Sequence, residues 1–123
     1  MDEIILELKR LTRRLHLPII AISSINRASY DEVLGLSSAK ESGGIEFTST
    51  VLLGLQYKAT KKKDDKWVVN IEEEGKKDTR DIELKIIKNR FGKSFKTIDL
   101  TFFPELCYFK EKESLRERKL SSF

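Results

Sequence analysis

Residues Ile82–Lys88 and Phe95–Thr101 each alternate apolar and polar side chains, and the intervening Arg90–Ser94 contains Gly92. A period of two marks a strand with one covered face, and a short glycine-bearing link joins two such strands side by side and antiparallel. The predicted hairpin fixes the polarity of the carboxyl part of the chain. It also sets Lys88-Asn89-Arg90-Phe91-Gly92 at the end of a strand, where two cations precede a glycine turn.

The amino part follows a different period. From Asp2 to His16 the apolar residues Ile4, Ile5, Leu8, Leu11 and Leu15 recur at helical spacing. Asp2 and Glu3 lie early and Lys9, Arg10, Arg13 and Arg14 late, which complements the helix dipole, and His16 is a further dipole partner at the helix end. Pro18 stops the helix. Ile19-Ile20-Ala21-Ile22 is then an apolar run without alternation, the pattern of a strand covered on both faces in a parallel sheet. Helix followed by buried strand is half of a βαβ unit, so the chain is expected to be the carboxyl part of something larger.

Ser23–Ser38 is polar and predicts a long connection of the kind that carries function. A short helix is expected over Lys40–Phe47 and a second buried strand over Val51-Leu52-Leu53-Gly54-Leu55. Residues 58–81 place Trp67-Val68-Val69-Asn70-Ile71 between two charge clusters and predict a mobile, solvated excursion with a short strand inside it. Leu106–Phe109 adds a last strand after Pro104, and residues 110–123 form a charged tail, helical or disordered. The expected fold class is α/β: a mostly parallel sheet with a carboxyl-terminal antiparallel hairpin.

With 123 residues the chain is one domain's worth. Its 24 Lys and Arg against 20 Asp and Glu give a net charge of +4, which tolerates a polyanionic partner without demanding one. No apolar stretch approaches the length of a membrane span, and Met1-Asp2-Glu3 lacks the basic start of a secretory signal, so the expected compartment is the cytoplasm. Cys107 has no partner for an internal disulfide, and its neighbours Leu106, Tyr108 and Phe109 predict a buried thiol. One His and one Cys are too few for a Cys/His zinc site, and the carboxylates show no metal-binding spacing.

Lys88 and Arg90 are two apart, so on a continuous strand they share a face and can converge on one anion; the alternative is a pair of solvated cations ending a hairpin. Lys40-Glu41-Ser42-Gly43-Gly44-Ile45-Glu46 is either a glycine turn into a helix capped by Ser42, or a backbone cradle for phosphates. Ser23-Ser24-Ile25-Asn26-Arg27 leaves the predicted buried strand, where open α/β sheets place ligand contacts. There is no Gly-x-x-x-x-Gly-Lys-Ser/Thr and no apolar strand ending in a magnesium-holding aspartate, so these residues alone are not expected to hold and hydrolyse a nucleotide in the P-loop manner.

Taken in order, Leu8-Lys9-Arg10-Leu11, Leu17-Pro18-Ile19-Ile20-Ala21-Ile22-Ser23-Ser24-Ile25-Asn26-Arg27, Lys40-Glu41-Ser42-Gly43-Gly44-Ile45-Glu46 and Lys88-Asn89-Arg90-Phe91-Gly92 resemble the carboxyl half of the RecA-like ATPase domain of DnaB-type replicative helicases, from Ile4 to Phe109. The resemblance implies a truncated RecA-like P-loop NTPase domain over residues 1–109. It also implies a homo-hexameric parent that uses ATP and Mg²⁺ and acts on single-stranded DNA, with neither cofactor bound by this chain alone. In that family the Lys-x-Arg pair reaches a neighbouring subunit's ATP, which carries over to Lys88 and to Arg90 as an arginine finger in trans. The Arg-Glu-Ser-Gly loop that holds DNA carries over to Lys40, Glu41 and Gly43, with Lys in place of Arg. Ser24 occupies the nucleotide-sensing position, usually Gln, and is too short to span the same distance. Phe47-Thr48-Ser49-Thr50 are neutral where the family tends to continue with Gln and acidic residues.

Two other classes fit the same residues: a non-catalytic DNA-binding or interaction module on a degenerate RecA-like scaffold, and a fragment of a RecA-like recombination ATPase. In any of them, exposed sheet edge and helix face predict non-native self-association of the isolated chain.

Overall fold

The computed structural model describes residues 2–24, 32–35 and 44–112. The amino-terminal period is realised as α1, Asp2–Leu15. Its end is set one step before the proline: His16 adopts a left-handed φ of 53°, and the Leu17 amide donates to the Thr12 carbonyl at 3.3 Å. This six-to-one bond closes the last turn, so the helix has already stopped when Pro18 is reached.

A single helical turn, α2 (Ile45–Thr48), is entered from Gly44 at φ 85°, a conformation that glycine adopts without a Cβ penalty. The strands and turns that follow are β1 (Val51–Tyr57), β2 (Lys61–Lys63), β3 (Lys66–Val68), α3 (Ile71–Gly75), β4 (Arg80–Asn89), β5 (Lys96–Phe103), a 3₁₀ turn (Pro104–Leu106) and β6 (Tyr108–Glu111). The main sheet has the order β1-β4-β5-β6, and β2 and β3 pair separately.

The predicted hairpin is present as β4 and β5, with Ile82 opposite Leu100 and Ile86 opposite Lys96. The predicted parallel sheet is not: among the described residues every strand pair is antiparallel. Ile19–Ile22 lies in no strand, and Ile20 and Ile22 are 92% and 97% exposed. A continuous apolar run records hydrophobicity but not the identity or direction of a partner, and among the described residues this run pairs with none. The second predicted strand does form, as β1, yet Val51, Leu53 and Leu55 are exposed and only Gly54 is buried.

Among the described residues the buried apolar side chains are Leu34, Val69, Ile82 and Ile87. Gly54 leaves room for two of them, since a Cβ there would stand 3.0 Å from Leu34 Cδ1 and 3.1 Å from Ile87 Cδ1. The Gln56 side chain holds the covering segment: its Oε1 accepts from the Leu34 amide at 2.7 Å and its Nε2 donates to the Glu32 carbonyl at 2.9 Å.

Residues 58–81 contain more structure than one short strand. Asp64 and Asp65, both left-handed, turn β2 into β3, and the Lys62 ammonium lies 5.2 Å from the Trp67 ring centre. Asn70 caps α3 by accepting from the Glu73 amide at 3.1 Å. Val69 and Glu74 are buried, and Lys77 Nζ donates to Glu74 Oε1 at 2.6 Å. Arg80 ties this excursion to the sheet, donating to the Tyr57 hydroxyl at 2.9 Å and the Gly75 carbonyl at 2.7 Å.

Cys107 is exposed, contrary to the expected buried thiol. It takes a left-handed φ of 48° as the cap of the 3₁₀ turn, and that backbone turns the residue outward despite its apolar neighbours.

Candidate anion-facing site at the hairpin tip

The tip is built by local hydrogen bonds. The Asn89 amide donates to Ser94 Oγ at 3.1 Å, the Phe91 amide to Asn89 Oδ1 at 3.2 Å, and the Phe95 amide to the Ile86 carbonyl at 2.6 Å. Gly92 packs closely on the Asn89 side chain: a Cβ there would stand 2.9 Å from Asn89 Nδ2, so any other residue would make that amide shift.

A β-bulge lies just before the two cations. Leu52 pairs with Lys88 and Leu53 with Ile86, which leaves Ile87 without a residue opposite it. Such a bulge re-aims the side chains beyond it. Strand β4 then ends at Asn89, so Arg90 stands in the turn, where the two-residue alternation of a strand no longer relates it to Lys88.

The two cations accordingly have different surroundings. Lys88 Nζ donates to the Glu46 carbonyl at 2.7 Å and to the Phe47 carbonyl at 3.3 Å. Helix α2 stops at Thr48, so no further helical amide reaches these two oxygens, and the ammonium serves as their cap. Arg90 is anchored by its backbone, its amide donating to the Thr50 carbonyl at 3.1 Å, while its side chain is exposed.

Arg90 lines a cleft of about 280 Å³ together with Leu6, Lys9, Arg10, Arg13, Phe47 and Thr48. Lys88 is not among the lining residues. Four of the seven are cations and none is a carboxylate. Lys9 Nζ donates to Thr50 Oγ1 at 3.2 Å, and Arg10 is paired with Glu7 at 2.5 Å. From sequence alone, Lys9, Arg10 and Arg13 have a role at the helix dipole, and Lys9 and Arg10 a place in the first segment of the resemblance, but no anion-facing role. Their spacing of three and four residues on one helical face was the available signal.

Of the other sequence candidates, Ser24 is exposed and lies in no regular element. Lys40, Glu41 and Gly43, like Asn26, Arg27 and Ser42, lie outside the described residues. Among the described residues no three His, Cys, Asp or Glu side chains form a group that could hold a metal ion, and no helix is long and apolar enough to cross a membrane.

A family model described as the DnaB-like helicase C terminal domain matches residues 1–111. No curated protein and no solved structure matches the chain.

Proposed function

Because the chain belongs to the family of DnaB-like helicase C-terminal domains, we propose that it is the carboxyl part of a hexameric, ATP-dependent DNA helicase and supplies a cation to a neighbouring subunit's nucleotide. The observation that carries this reading is the state of Arg90. Its backbone is fixed to Thr50, its guanidinium is exposed, and no side-chain hydrogen bond or ion pair engages it among the described residues.

The residues present fit the rim of a nucleotide phosphate site and not the whole of it. Cations face the cleft, but the sequence has no P-loop, and the described residues offer no carboxylate group for Mg²⁺. ATP and Mg²⁺ would therefore be held by residues outside these 123, and the nucleotide would supply the phosphoryl group whose transfer drives the motor. Arg90 would stabilise the negative charge that develops on the phosphoryl oxygens, with its planar fork donating in pairs. Fixed guanidinium groups of this kind contribute on the order of 10³ to 10⁵ in rate.

Lys88 would join it in trans only on release from the Glu46 and Phe47 carbonyls that it now caps. Its present bonds to Glu46 and Phe47 put it at the exit of the segment containing Lys40, Glu41 and Gly43, the residues we assign to single-stranded DNA. Exposed Ile20, Ile22, Val51, Leu53 and Leu55 support self-association of the isolated chain.

The test is DNA-stimulated ATP hydrolysis by the assembled parent ring carrying Arg90→Ala. We expect turnover to fall by at least a hundredfold, with ring assembly retained. Undiminished turnover in an assembled ring would refute the finger.

A further inference from the structure

We propose that the cleft between α1 and the tip of the β4–β5 hairpin, walled by Lys9, Arg10, Arg13 and Arg90, is a phosphate-binding site in which the basic face of α1 is a principal ligand. The proposal shares Arg90 with the finger reading and rests on that reading only for the identity of its natural ligand.

The first argument is electrostatic. Lys9 and Arg13 are one helical turn apart, as are Arg10 and Arg13, and like charges at such spacing destabilise an isolated helix by a few tenths of a kcal/mol per pair. The fold brings a fourth cation, Arg90, from far along the chain onto the same cleft. Among the described residues only Arg10 of the four has a carboxylate partner, Glu7, and that pair is solvent-exposed. A bound anion removes the remaining repulsion.

The second argument is construction. The cations are not a loose surface run, because one residue organises two of them. Thr50 accepts the Arg90 amide on its carbonyl at 3.1 Å and the Lys9 ammonium on its hydroxyl at 3.2 Å. Arg13 of α1 and Arg90 of the hairpin turn both line the cleft, and guanidinium forks match the oxygens of a phosphate bidentately.

The third argument is size and lining. A volume of about 280 Å³ falls just below the range of roughly 300–1,000 Å³ for drug-sized ligands, which suits phosphate groups better than a whole nucleotide. Its apolar lining comes from Leu6 and the exposed Phe47. Terminal phosphates of a nucleotide and the phosphodiester backbone of single-stranded DNA share this chemistry.

Isothermal titration calorimetry of the chain with sodium tripolyphosphate at low salt provides the test. Arg13→Ala is expected to weaken binding about tenfold, equivalent to ~1.4 kcal/mol. Arg13→Lys, which keeps the charge but loses the fork, should fall between. Lys63→Ala, which removes an exposed cation from β2, should change affinity less than twofold. Equal effects of Arg13→Ala and Lys63→Ala would overturn the proposal, since binding would then follow net charge alone, and so would undetectable binding to the unaltered chain. Competition by magnesium-free ATP or by oligothymidylate supports the site and identifies which source it takes; failure of both to compete would overturn it. Reduced hydrolysis in Arg90→Ala with anion affinity unchanged in Arg13→Ala would remove the cleft and leave the finger. The reverse would remove the finger and leave the cleft.

Discussion

Replacing Lys88 by Met keeps the aliphatic stem and deletes the ammonium that caps α2. The bond to the Glu46 carbonyl is 2.7 Å long and partly buried, while that to the Phe47 carbonyl is 3.3 Å and exposed. A hydrogen bond to a charged group contributes about 1.5–3 kcal/mol net, and the half-buried position places this one at the lower end. The longer bond adds little. The expected loss is thus about 1.5 kcal/mol, roughly twelvefold in the folding equilibrium. With a urea dependence of about 1.5 kcal/mol per molar for a chain of this size, the midpoint falls by about 1 M. Arg90→Met removes no side-chain bond and should stay within about 0.5 kcal/mol of the parent. The assay is urea unfolding of the chain followed by far-ultraviolet circular dichroism and by the fluorescence of Trp67, the sole tryptophan; coincident transitions justify the two-state treatment. A Lys88→Met midpoint unchanged within about 0.2 M, or an equal shift in Arg90→Met, would refute the separation of the two cations into a structural cap and a free guanidinium.

Gly54→Val places a Cβ 3.0 and 3.1 Å from the terminal methyls of Leu34 and Ile87 and adds two further methyl groups, so overpacking of about 2–3 kcal/mol is expected in the same urea assay. Asp81 makes the acid limb of stability testable: the hydrogen bond from Lys112 holds its carboxyl below the usual carboxylate value, against the opposing effect of partial burial. A folded-state value below the unfolded one, about 3.9, means that the pair contributes fully above that pH and is lost as pH falls through the depressed value. With both side chains nearly half exposed the contribution is only about 0.5 kcal/mol. Lys112→Ala should therefore lower stability by that amount at pH 7 and not at about pH 2, as read by thermal unfolding.

The elements legible in the sequence were those whose period alone specifies them. Helix α1 followed from Ile4, Ile5, Leu8, Leu11 and Leu15, and the β4–β5 hairpin followed from alternation around Gly92. Sheet direction was not legible, because the run Ile19–Ile22 reports only that it is apolar. The burial of Glu74 beneath a charge cluster was hidden for a related reason. Composition marked residues 72–77 as solvated, whereas the Asn70 cap and the Lys77 ion pair turn one carboxylate inward. Lys88 and Arg90 stand out in the sequence as a pair, but their geometry depends on the unpaired Ile87 and on a strand that ends at Asn89. Neither is encoded in alternation.

These two cations are linked through backbone rather than through a shared ligand. Lys88 holds the chain at Glu46 and Phe47, and the Arg90 amide holds it at Thr50, so the segment between them is fastened twice to the hairpin tip. Val51 pairs with Asn89 immediately beyond, which continues the attachment into β1. Thr50 also receives the Lys9 ammonium, so α1 meets the hairpin at the same residue. Helix α2, the hairpin tip and α1 are thus joined at Glu46, Phe47 and Thr50. The join is made by hydrogen bonds to three neighbouring positions of one short segment, and that segment directly follows the residues assigned to DNA.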